Sequence, residues 1–119
     1  MFGFMTRELA PLSDKYRLIF CIIAFAIVLY VYTLTLAPTV YFIDSGELSA
    51  VASTLGIAHP TGYPLFTLIG YLFTKLPVSS SEVYKLNLMS ALFCAVSIFI
   101  FFFLINFLLE QRRLALSPL

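Results

Sequence analysis

The chain has 119 residues, 61% of them apolar or aromatic and only 11% charged. A soluble domain is about half apolar and about a quarter charged, so this balance excludes a water-soluble globule, a disordered tail and a nucleic-acid binder. The net charge of +1 gives no reason to expect acidic partners, and Cys21 and Cys94, both inside apolar runs, make no disulfide framework.

The first predicted element is the uncharged run of 20 residues from Leu18 to Ala37. At about 1.5 Å per residue it reaches roughly 30 Å, the thickness of a hydrocarbon core. Twelve of its residues are Leu, Ile, Val or Phe, and these favour the bilayer by roughly 4–7 kcal/mol on the insertion scale. A cleaved signal peptide would share the positive flank Arg7, Lys15 and Arg17. It is the poorer reading: the run exceeds the usual length of about 7–15 residues, and its small-residue site, Thr35-Leu36-Ala37, is followed by Pro38. An uncleaved transmembrane helix over 18–37 is expected.

Pro38 ends that helix, and Tyr41 and Phe42 suit a membrane interface. Asp44-Ser45-Gly46-Glu47 follows, then Leu48, Val51, Ala52 and Leu55 at i, i+3, i+4, i+7 spacing. This predicts a short helix over 45–56 with Gly56 as its stop. The segment Ala58-His59-Pro60-Thr61-Gly62-Tyr63-Pro64 is a rigid turn. It leads into a 12-residue apolar stretch, 65–76. At roughly 18 Å that helix is too short to span, and with Lys75 in it an interfacial or re-entrant position is expected. The last run, Leu86 to Leu109, has 24 residues, is dense in phenylalanine and stops at Glu110-Gln111-Arg112-Arg113. It reaches about 36 Å, enough to cross with some tilt.

Charge sets the expected orientation. Arg7, Lys15 and Arg17 precede the first span, Arg112 and Arg113 follow the second, and only Lys75 and Lys85 lie between. Two crossings with both termini cytoplasmic and 38–85 outside satisfy the positive-inside rule. Cys21 and Cys94 are expected as small apolar fillers. Asn87, Ser90, Ser97 and Asn106 need hydrogen-bond partners in hydrocarbon, which implies neighbours beyond these 119 residues.

Asp44 and Glu47 are the only acids between Leu18 and Ser81, and they admit two readings. One is a capping box, with Asp44 as N-cap and Glu47 reaching back. The other is functional: at i and i+3 the carboxylates share a helix face, where they can divide acid–base work or jointly hold a divalent cation. For His59 the competing reading is a turn histidine bonded to nearby backbone.

An acidic pair after the first membrane helix, a short helix, a His-Pro turn and an amphipathic segment together resemble the GT-C glycosyltransferases, multi-spanning enzymes that take sugars from polyprenyl-phosphate carriers. Within them, Tyr32–Val40, Asp44–Glu47, Leu55–Phe66 and Asn87–Leu92 are similar to a bacterial membrane family, once a domain of unknown function, related to eukaryotic transmembrane protein 260 O-mannosyltransferases. Thr61 stands where the usual turn has a second proline. The resemblance covers about residues 18 to 109 and only the start of a full family member. It implies an all-α, multi-pass protein of the bacterial inner membrane that moves a mannose-like sugar from a polyprenyl-phosphate donor to a hydroxyl, with protein Ser/Thr as one acceptor. It also implies Asp44 and Glu47 as catalytic residues and Ser45, His59 and Tyr63 as substrate-binding ones, with the cationic donor-phosphate site in later helices and the fragment alone inactive. Two other classes compete: a non-catalytic two-helix subunit of a membrane complex, and a transporter or flippase fragment.

Overall fold

The computed structural model describes residues 14–79 and 81–116. Among them the chain is helical, with α1 at Asp14–Leu34, α2 at Ser45–Thr54, α3 at Pro64–Thr74 and α4 at Glu82–Leu116. Two long and two short helices were expected, and the order is as read from the sequence. The cytoplasmic placement of residues 1–13 and 117–119 concerns positions outside the described residues.

α1 and α4 are each long and apolar enough to cross a membrane. They pack antiparallel: Arg17, near the start of α1, pairs with Glu110, near the end of α4. Cys21, Ala91 and Ala95 are buried, small side chains of the kind that let helix backbones approach. Cys94, by contrast, is exposed, so the expected filler role holds for Cys21 alone.

The helix ends differ from the apolar runs for a physical reason. Apolar content marks the hydrocarbon, whereas backbone hydrogen bonding marks the helix. α1 therefore reaches back past Leu18 to Asp14, the first described residue, and ends at Leu34 and not at Ala37. Its last turn is closed by Thr33 and Thr35 hydroxyls donating to the Tyr30 and Val31 carbonyls at 2.8 and 3.0 Å. α4 likewise runs 35 residues, through the charged segments on both sides of its apolar core.

α2 and α3 pack on the N-terminal half of α4. Ala52, Leu86 and Met89 form a buried cluster, and Phe66, Ile69 and Phe73 pack against it. α3 turns Thr67, Gly70 and Thr74 inward and leaves Leu65, Leu68 and Leu72 exposed. Gly70 permits this seat, because a Cβ there would stand 2.9 Å from Ala52 Cβ and 3.0 Å from Leu86 Cδ2. At the other end of α3, the buried Lys85 donates from Nζ to the Thr74 carbonyl at 2.7 Å. A cation on the last carbonyls of a helix is favourable.

The polar residues of α4 find partners within the chain. Asn87 Nδ2 donates to the Ala37 carbonyl at 2.8 Å, tying the stretch after α1 to α4. Ser90, Ser97 and Asn106 donate to the Leu86, Phe93 and Phe102 carbonyls of their own helix. Among the described residues no buried side-chain polar atom lacks a partner. Back-bonding to i−4 carbonyls gives Ser90, Ser97 and Asn106 one partner each within their own helix.

Candidate functional site

The loop between α1 and α4 brings Asp44, Glu47 and His59 together from two segments. Asp44 occupies the N-cap position of α2, yet its side chain makes no capping hydrogen bond. Glu47, in the first turn, does not reach back to it. Instead Oε1 accepts from the backbone N–H of His59 at 2.8 Å, and Oε2 lies 3.0 Å from His59 Nδ1. The capping box read from the spacing is not formed. His59 engages one carboxylate through both its backbone N–H and a ring nitrogen, which outweighs the single N–H that a capping box provides.

This clamp orients the ring. His59 Nε2 lies 4.0 Å from Asp44 Oδ2, and the Tyr63 ring meets the imidazole edge-on with centroids 5.5 Å apart. The three side chains are accessible: Asp44 is 49% exposed, Glu47 43% and His59 38%. The backbone N–H of His59 is the main cause holding the Glu47 carboxyl below the ordinary glutamate range, with the ring hydrogen bond and the ring's charge adding to it. One atom from each of Asp44, Glu47 and His59 lies within 4.8 Å of the others, a spacing across which a divalent cation could gather donors.

Of the other expected site residues, Tyr63 stands beside His59, whereas the Ser45 hydroxyl accepts from the Tyr41 backbone N–H at 2.8 Å and pins the loop. Three non-glycine residues of the described chain have positive φ, and all bracket this site: Ile43 at 57° before Asp44, Leu55 at 55° closing α2, and Tyr63 at 46° opening α3. Such a conformation costs an L-residue about 1–2 kcal/mol. Gly56 was expected to stop α2, but Leu55 takes the left-handed position and Gly56 donates to the Val51 carbonyl at 3.0 Å. The glycine serves packing, since a Cβ at 56 would stand 3.3 Å from Thr54 Oγ1.

What the sequence missed is the pairing of Glu47 with His59, twelve positions away across the turn. The signal available was thin: one histidine in the chain, facing two loop acids.

Residues 44–117 match the family model of the Protein O-mannosyl-transferase TMEM260 N-terminal domain, and the match begins at Asp44 itself. The chain belongs to the TMEM260 N-terminal domain family. It is 47% identical over 79 residues to Protein O-mannosyl-transferase TMEM260 of Mus musculus, covering 66% of this chain and 11% of that protein. It is 43% identical over 74 residues to Protein O-mannosyl-transferase tmem260 of Dictyostelium discoideum, covering 60% and 9% respectively. The chain thus spans about a tenth of the length of these TMEM260 relatives. No solved structure matches it.

Proposed function

We propose that this chain is the catalytic-loop portion of a membrane glycosyltransferase that moves a mannose-like sugar from a polyprenyl-phosphate carrier to a hydroxyl, protein Ser/Thr being the acceptor suggested by the relatives' names. One observation carries the reading: Asp44 stands at a helix start without capping it, exposed and facing an oriented imidazole. A carboxylate held this way is available to accept the acceptor hydroxyl's proton as its oxygen attacks the anomeric carbon. The leaving lipid phosphate is stable as an anion and needs cationic or hydrogen-bonding groups more than an acid. Neither outer lysine supplies them in the described chain, since Lys75 lies over the Tyr71 ring at 4.4 Å and Lys85 is bound to Thr74. The donor-phosphate site therefore belongs to other segments of the full-length protein.

In this reading α1 and α4 span the bilayer with their paired Arg17–Glu110 ends on the cytoplasmic side and the loop outside. The exposed leucines of α3 face lipid, which sets the acidic site at the membrane surface. The test is transfer by the full-length protein in membranes supplied with polyprenyl-phosphate mannose and a Ser/Thr peptide. Mannosylated peptide supports the proposal; no transfer from any polyprenyl-phosphate sugar overturns it.

A further inference from the structure

We infer that Glu47 is a positioning residue that holds His59 as its Nδ1–H tautomer, so that His59 and Asp44 present two hydrogen-bond acceptors to one space on the hydroxyl side of the site. An ionised carboxylate only accepts, so a neutral imidazole whose Nδ1 lies 3.0 Å from Glu47 Oε2 must carry its hydrogen on Nδ1. The second bond, from the His59 backbone N–H to Oε1 at 2.8 Å, fixes the residue's main chain to the same carboxylate. With both contacts made to a side chain on the first turn of α2, the ring cannot rotate without breaking one of them.

Nε2 is then a lone pair, 4.0 Å from Asp44 Oδ2. The groups around the imidazole are Asp44, Glu47 and the Tyr63 ring. A space bounded by an imidazole lone pair and a carboxylate welcomes a group with a hydrogen to give, such as an alcohol, and repels phosphate oxygens, which only accept. His59 thus belongs with the attacking hydroxyl and not with the leaving phosphate. Glu47 acts through it and does not touch substrate. The hydroxyl-side assignment rests on the transferase reading; the tautomer does not.

His59 is the one histidine among the 119 residues, so ring-15N histidine labelling of this chain in lipid nanodiscs reports a single site. At alkaline pH, with the imidazole neutral, Nδ1 is expected to be protonated and Nε2 bare. Glu47→Ala should move the population towards Nε2–H, the form a free histidine side chain prefers, while Asp44→Asn should leave Nδ1–H in place. A wild-type ring carrying its hydrogen mainly on Nε2 overturns the inference and needs no variant to fold. In the full-length enzyme Glu47→Gln should lower kcat about ten-fold or more, and should cost nothing further in a His59→Ala background. Independent, additive losses would contradict action through His59. Absence of transfer by the wild type would defeat the transferase reading and its hydroxyl side, with the tautomer still decided by the nitrogen signals.

Discussion

Gly70→Ala tests how the loop helices are seated. Carbon atoms pack best at about 3.5–4.0 Å, whereas the new methyl would stand 2.9 Å from Ala52 Cβ and 3.0 Å from Leu86 Cδ2. Leu86 can swing its terminal methyl aside. Ala52 cannot, because its Cβ is fixed to the α2 backbone and fully buried. Overpacking of this kind costs about 1–3 kcal/mol, while replacing a helical glycine by alanine returns about 0.8–1.0 kcal/mol of propensity. The expected net is a loss of about 0–2 kcal/mol in the local stability of α3. A sharper reading comes from the double variant Gly70→Ala/Ala52→Gly, where removing the opposing methyl restores the seat. We expect a coupling of about 1–2 kcal/mol in favour of the double variant. Amide hydrogen exchange of α3 in nanodiscs measures both quantities. A Gly70→Ala chain whose α3 gains the full propensity benefit, with no coupling to position 52, would refute the close α2–α3 approach.

The Glu47 clamp should depend on acid. Because its folded carboxyl titrates low, its contribution is complete above the ordinary glutamate value of about 4.3 and is lost as pH falls through the lowered folded value. A carbon-13 titration of the Glu47 carboxyl should therefore show a midpoint below that of a free glutamate, and an ordinary midpoint would contradict the clamp. Asn87→Ala removes the bond to Ala37 and should cost about 1 kcal/mol, seen as faster exchange and proteolysis at 35–40; an unchanged pattern there would mean the tie is idle. In a cysteine-free background, Val78→Cys should react with an impermeant thiol reagent added outside cells and Gln111→Cys should not. Labelling of position 111 from outside would break the two-crossing arrangement.

Long-range order in the sequence was legible where one physical rule dominates. Uncharged length located α1 and α4, apolar spacing located α2, and a short apolar stretch located α3, because burial or lipid contact is a property of whole segments. The ends were less legible. Leu55 takes a left-handed conformation beside an available glycine, which local preference argues against. The residues of the candidate site were all named, but their pairing was not. A capping box is a local pattern, and nothing local reveals that the Ala58–Pro64 turn brings two His59 donors onto Glu47. Lys85 shows the same limit. In the sequence it is an outer charge, while in the fold its ammonium is buried on the end of α3, a contact set by the packing of α3 on α4.

The central claim is that the uncapped carboxylate of Asp44 accepts the hydroxyl proton. Asp44 makes no capping hydrogen bond to α2, so Asp44→Asn, nearly identical in shape, removes the base while sparing the helix end. The measurement is the rate of labelled mannose transfer from polyprenyl-phosphate mannose to a Ser/Thr peptide, by full-length wild type and Asp44→Asn at matched membrane expression. The account predicts a loss of about a hundred-fold or more, the usual contribution of a positioned base. Near-normal turnover by the well-expressed variant would contradict it.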